Sequence, residues 1–168
     1  MSYIRVWVGD LHEYNNGRLV GGWVDVEPYT DEDSVREALG IPEEHETAIL
    51  DCECDIPYYT PGEHEQIEHL AEIVDAWDRL DDDEQTAAAA LMWNGENIDH
   101  AFDYASDCIV WREMSMRDIA EEYADGLLEG VPDEVARYFD YDAYARDLAI
   151  DGTFIEADGL DAIVEVID

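Results

Sequence analysis

The chain sets 45 aspartates and glutamates against eight basic residues, for a formal net charge of −37. All eight cations are arginines, and lysine is absent. Charges of one sign at this density repel one another in any compact state. The chain therefore needs enough apolar surface to hold itself together. Leu, Ile, Val and Phe supply 39 of the 168 residues. That share, about 23%, lies above the roughly 20% below which disorder is expected. Five Trp and ten Tyr add large apolar rings. The composition predicts a folded protein of one ordinary domain or two to three very small ones.

The same imbalance excludes whole classes of function. Direct nucleic-acid binding needs a basic face to displace counterions from phosphates, and these arginines are too diluted to form one. An anionic membrane surface is excluded for the same reason. The longest apolar run, Ala87 to Trp93, falls far short of the roughly 18 residues of a membrane span. The opening MSYIRVWVGD turns polar too early for a signal peptide. Cys52, Cys54 and Cys108 are odd in number and lack framework spacing. They read as reduced thiols in a cytoplasmic protein.

Periodicity divides the chain into three stretches. The first, 1–61, is β-rich. Tyr3 to Val8 is β-branched and aromatic, Asn15-Asn16-Gly17 offers turn residues, and Leu19 to Val26 is a return strand. Gly21-Gly22 marks a bulge or a close approach. A longer loop is expected between the two strands. Thr30 and Asp33 have capping-box spacing for a short helix that Gly40 and Pro42 stop. Thr47 to Ile56 alternates, with Ala48, Leu50, Cys52, Cys54 and Ile56 on one face. Pro57 and Pro61-Gly62 close this stretch.

The second stretch, 62–104, is helical. From Glu63 to Leu80, Ile67, Leu70, Val74 and Trp77 make one apolar face. Asp81-Asp82-Asp83-Glu84 suits the positive end of a following helix, which runs to Trp93. A shorter helix covers Ile98 to Ala105. The third stretch, 105–168, mixes a strand at Cys108 to Arg112, a helix capped by Ser115 and Asp118, and a helical stretch from Asp133 to Ile150. Asp151-Gly152 marks a turn, and Thr153 to Ala157 and Ala162 to Ile167 are strands. The fold class is α+β in three small modules.

Sites of familiar chemistry are weakly supported. With 45 acids, carboxylate pairs arise at almost any spacing by chance. His64 and His69 stand five apart, whereas the zinc-protease helix needs four. Asp51, Glu53 and Asp55 alternate as in a calcium loop, but Ile56 holds the position that demands glycine. Cys52 and Cys54 are too close for usual zinc spacing, and no second pair of ligands follows. There is no glycine-rich phosphate loop and no nucleophile elbow. No catalytic residue, metal or cofactor is expected.

What remains is the pattern of the acids. Glu65, Glu68, Glu72, Asp75 and Asp78 recur every three or four residues opposite the apolar stripe, and Asp81, Asp82 and Asp83 extend them. Asp118, Glu122, Asp125 and Glu129 repeat the design. Like charges at this spacing destabilise a helix. Either the protein uses them or salt screens them. Duplex DNA carries one negative charge per ~1.7 Å, so −37 matches roughly 60 Å of duplex, on the order of 18 base pairs. A chain of this kind can present carboxylates where a DNA-binding enzyme expects phosphates.

Two segments carry a resemblance to a known family. VWVGDLHEYNNGRLVGGWVDV is similar to the opening of the ArdA antirestriction proteins, with its Tyr-Asn-Asn-Gly turn and Gly-x-Trp return strand. YFDYDAYARDLAIDGTF, from Tyr138 to Phe154, resembles the family's C-terminal pattern, with Ala145 where many members have Gly. The likeness also takes in the Ala48 to Glu53 strand and the Ser115-Met116 cap. The resemblance implies a non-enzymatic mimic of bent B-form DNA. Such a protein occupies the DNA channel of type I restriction–modification enzymes, formed by specificity and modification subunits, and protects incoming mobile elements. It further implies an elongated chain of three modules that dimerises through the last. Phe139, Tyr141, Tyr144 and Leu148 would then serve that module's core or dimer contact, with Asp140, Asp142, Arg146 and Asp147 in the same motif. The alternative reading is an acidic globular protein adapted to high salt, with an unrelated binding role.

Overall fold

The computed structural model describes residues 2–151 and 153–167. Its internal contacts divide the chain into two compact units that meet between Asp81 and Asp82. Both are α+β.

The first unit is built on an antiparallel sheet in the order β2-β1-β3. Its strands are β1 (Ile4–Asp10), β2 (Gly21–Val26) and β3 (Thr47–Cys54). Ile4, Val6 and Val8 point from the central strand into the core and are almost fully buried. Helix α2 (Glu32–Leu39) and helix α3 (Ile67–Arg79) complete this unit, and Val35, Ile67, Leu70, Val74 and Trp77 join the core. The periodicity of α3 is as expected. Its start is not: the helix begins at Ile67, and Glu63 to Glu65 precede it.

Three local expectations for this unit are corrected. The segment between β1 and β2 holds a one-turn helix, α1 (Leu11–Asn15), because the Asp10 carboxylate accepts the Glu13 amide and caps it. Helix α2 is capped by Asp31, which accepts the Ser34 amide at 2.8 Å. Thr30 instead turns its hydroxyl to the Glu27 amide. In β3 the alternation breaks at Leu50. Val8 pairs with Ile49 and Trp7 with Asp51, so Leu50 is the extra residue of a β-bulge and is exposed. Ile49 takes the core position that alternation assigns to Leu50.

The second unit opens with α4 (Asp82–Trp93), whose residues Ala87 to Met92 are all buried. A helix apolar on every side belongs in the middle of a fold. It is followed by α5 (Ile98–Tyr104), a 3₁₀ turn (Ala105–Asp107) and β4 (Cys108–Arg112). Next come α6 (Met116–Leu127), α7 (Asp133–Ala136), α8 (Tyr141–Ile150), β5 (Phe154–Ile155) and β6 (Ala162–Val166). The sheet order is β4-β6-β5, antiparallel throughout. Arg112 reaches from β4 to Asp83 and Thr86 of α4, and Tyr123 reaches from α6 to Glu165 of β6. The strand register places Arg112 and Glu165 on opposite faces, so the sheet lies between α4 and α6.

The expected helical stretch from Asp133 to Ile150 is two helices. Asp140 accepts the Ala143 amide at 3.0 Å and starts α8 afresh. The reciprocal capping box of Ser115 and Asp118 is formed as expected. Gly152, half of the expected Asp151-Gly152 turn, lies outside the described residues.

Glu165 is a buried carboxylate whose two oxygens accept the Tyr123 hydroxyl. Burial first, then this hydrogen bond to an anion, pushes the Tyr123 pKa from the ordinary 10 up to about 12. A raised folded-state pKa means the stabilisation is complete below pH 10 and disappears as pH climbs toward 12. Unfolding monitored across alkaline pH should show this loss. Tyr123→Phe should abolish that step and cost about 1–3 kcal/mol at neutral pH, because the buried carboxylate loses its donor. An unchanged alkaline profile in the variant would show that the pair contributes nothing.

Candidate protein-interaction surface

Of the five acids expected to form an outer stripe on this helix, the four within α3 do so. Glu68, Glu72 and Asp78 are exposed and Asp75 is half-buried, opposite the buried Ile67, Leu70, Val74 and Trp77. The helix spans 13 residues, about 20 Å at ~1.5 Å per residue. Not all its acids are equivalent. Glu68 accepts the Glu32 amide, Asp78 accepts the Ser2 amide and hydroxyl, and Asp75 pairs with Arg79 at 2.9 Å. Glu65 lies before the helix and bonds His69. Among the described residues Glu72 has no hydrogen-bonding or ionic partner.

Asp82 and Asp83 stand in the first turn of α4, where the helix dipole favours negative charge, and Asp81 just precedes it. Asp83 pairs with Arg112 at 2.8 Å. On α6, Asp118 closes the capping box, and the Ser115 amide and hydroxyl hold its pKa below the ordinary carboxylate value. Glu122 and Asp125 are exposed, and Glu129 lies just past the helix end. Asp118, Glu121, Glu122 and Asp125 line one open concavity beside α8. The structure therefore separates acids with local structural work from acids that face solvent unneutralised. Glu72, Asp82, Glu122, Asp125 and Glu129 belong to the second kind.

The arginines do not answer this charge. Arg5, Arg18, Arg36, Arg79, Arg112 and Arg117 each pair with carboxylates of their own unit. Each binds acids already beside it, and large acidic areas stay open.

The C-terminal motif forms one aromatic cluster on α8. Phe139 lies edge-on to Tyr141 at 5.0 Å and to Tyr144 at 5.6 Å. Arg117 of α6 pairs with Asp142 at 2.7 Å and lies over Tyr141 at 5.9 Å. Ala145 is buried and Leu148 half-buried, while Arg146 and Asp147 face solvent. Asp140 is the helix cap. The most exposed large apolar side chains of the same unit are Leu127, Val135, Tyr138 and Ile150.

A cluster not expected from the sequence joins Asp10, Glu13 and His45, whose ligand-type atoms lie within 4.8 Å of one another. Each is already engaged. Asp10 accepts the Glu13 amide at 3.2 Å and faces His45 Nδ1 at 2.8 Å. Glu13 pairs with Arg18, and His45 stacks on His12 with ring centres 4.2 Å apart. Burial pushes the Asp10 pKa up. The His45 hydrogen bond, the Glu13 amide and the His45 charge together outweigh burial and hold it below the ordinary value. The cluster pins α1 to the end of β1. Only the cap spacing Asp10-x-x-Glu13 in the sequence hints at it, and His45 lies too far along the chain to be linked to it by eye.

The thiols are free, and burial raises Cys54 and Cys108 above the ordinary thiol value, so neither is primed as a nucleophile. Among the described residues no helix is long and apolar enough to cross a membrane.

No curated protein matches the chain significantly. The family model described as antirestriction protein (ArdA) matches residues 6–160, which takes in both the Tyr-Asn-Asn-Gly segment and the C-terminal aromatic motif. An acidic two-unit α+β chain, with that match over nearly its whole length, belongs to the ArdA family of antirestriction proteins.

Proposed function

We propose that this antirestriction protein is a DNA mimic without enzymatic activity. It competes with DNA for the binding channel of type I restriction–modification enzymes, against their modification and specificity subunits, and so blocks restriction and modification alike. It acts in the cytoplasm, carried with an incoming mobile element. The observation that carries the reading is the set of solvent-facing carboxylates on α3, at the start of α4 and on α6 that no arginine neutralises. Such a surface steers toward a basic groove over long range, and the attraction weakens with salt.

The protein works as a homodimer through its C-terminal part. Support comes from Leu127, Val135, Tyr138 and Ile150 of the second unit, each more than half exposed. Two copies double the length of duplex that can be matched. Displacement of labelled cognate DNA from a type I enzyme tests the mimic reading directly. A protein merely adapted to high salt would displace nothing and would unfold in dilute buffer.

A further inference from the structure

We propose that the open face of the first sheet is a guanidinium-binding platform that takes arginine side chains from the basic surface of the target enzyme. The proposal rests on the mimic reading for the identity of that target, not for the chemistry of the site.

The strand register arranges this face in three rows. Gly21, Gly9 and Ala48 form one row across the sheet. Trp23, Trp7 and Asp51 form the next, and Asp25, Arg5 and Glu53 the third. Trp7 lies over both glycines of this row. A Cβ on Gly9 or on Gly21 would stand 2.9 Å from the Trp7 ring. The ring therefore lies along the sheet instead of standing up from it. Trp23 is exposed beside it, and the bulged Leu50 extends the apolar area.

A flat aromatic platform on a sheet can stack either a nucleobase or a guanidinium. The border decides between them. Asp25, Asp51 and Glu53 are exposed carboxylates, and they repel a phosphate backbone while attracting a cation. The molecule already shows the favoured contact with its own side chain. Arg5 lies 4.9 Å above the Trp23 ring, between Asp25 at 3.3 Å and Glu53 at 3.7 Å. An incoming arginine finds the same kinds of partner beside it, because among the described residues Asp51 pairs with no cation, or it displaces Arg5 from the Trp23 face. Aromatic burial is not screened by salt as exposed charge pairs are. The platform would thus supply the part of binding that survives when the carboxylates are screened.

The test compares the wild-type protein with Trp23→Thr, a strand-compatible change whose fold is checked by circular dichroism and thermal unfolding. Arg5→Gln, which leaves both rings in place, serves as a second variant should Trp23→Thr fail to fold. Displacement of DNA from a type I enzyme is titrated at low and at raised salt. At low salt Trp23→Thr should be weaker than wild type by about tenfold, because a contribution that salt does not screen is lost in full at either salt. At raised salt it should again be weaker by about tenfold. Arg5→Gln, with the ring face cleared for an incoming guanidinium, should bind at least as tightly as wild type at raised salt.

A second arm adds hexa-arginine peptide at raised salt and reads tryptophan emission. Wild type should respond and Trp23→Thr should not. Equal displacement by wild type and Trp23→Thr at raised salt would overturn the platform and leave mimicry standing. If wild type displaces no DNA at either salt, the mimic reading fails, and the peptide arm alone decides the platform. Absence of a Trp23-dependent response to hexa-arginine, or a response to oligothymidylate in its place, would overturn it.

Discussion

Neutralising Glu72, Asp82, Glu122, Asp125 and Glu129 together, as Gln or Asn, is expected to weaken inhibition of a type I enzyme by about 10- to 100-fold. Each of the five singly should cost less than about threefold. The choice follows from the structure. Among the described residues none of these side chains has a hydrogen-bonding or ionic partner, and the favourable position of Asp82 in the first turn of α4 contributes only about 0.3–1 kcal/mol, so the fold should survive their loss. At about 0.3–0.5 kcal/mol for each exposed charge pair, five such terms sum to about 1.5–2.5 kcal/mol, which falls in the stated range. The variant keeps a large negative charge, so any loss reports carboxylates that touch the target and not a vanished field. Glu68, Asp75, Asp78, Asp83 and Asp118 are unsuitable for this test, because each holds an amide, a hydroxyl or an arginine in place. If one single substitution reproduced the full loss, the surface would be a localised site instead of a distributed mimic.

Gly21→Ala is expected to unfold the first unit, with a loss above about 4 kcal/mol in urea denaturation. A Cβ there would sit 2.1 Å from the Val8 carbonyl oxygen and 2.9 Å from the Gly9 Cα, both backbone atoms that cannot rotate away. The residue also adopts φ +156°, where side chains are rarely found. Relief would require β1 and β2 to part at the Gly9–Gly21 pair, next to the 2.8 Å bond from the Asp10 amide to the Val20 carbonyl. Such a loss approaches the whole stability of a small domain. Gly17→Ala is the control. Gly17 also has positive φ, at +81°, but open space surrounds it, so only about 1 kcal/mol should be lost. Equal effects of the two changes would show that the close approach at Gly21 does not matter.

Much of this architecture is legible in the sequence where a local rule acts alone. The buried stripe of α3, the Ser115 cap, the Gly40 stop of α2 and the Gly21 close approach all follow from residues next to one another. What was not legible depends on distant partners. The bulge at Leu50 exists because β3 pairs with β1, and pairing register is invisible to alternation within one strand. The start of α3 moves to Ile67 although Glu63 to Glu65 have good helix propensity. The Ile49 amide bonds the Glu63 carbonyl at 2.8 Å and the Glu65 amide bonds the Gly62 carbonyl at 3.2 Å, so this segment is held as a turn beside β3. The break between α7 and α8 is set by Asp140, one acid among 45, and nothing in composition singles it out as a cap.

The same distinction applies to the surface. The acidic stripes are visible as spacing, because helical periodicity fixes which residues share a face. Which acids are spent on caps and arginines is not visible, because Glu32, Ser2 and Arg112 come from elsewhere in the chain. The tryptophan platform is likewise hidden. Trp7 and Trp23 are 16 positions apart, and only the β1–β2 register sets them side by side.

The most direct measurement is a titration of the purified protein into a type I restriction–modification enzyme bound to labelled cognate DNA, at low and at moderate salt. The account predicts displacement near stoichiometric ratios at low salt, weakening steadily as salt rises. Displacement indifferent to salt, or no displacement from several such enzymes by a protein shown to be folded, would contradict it.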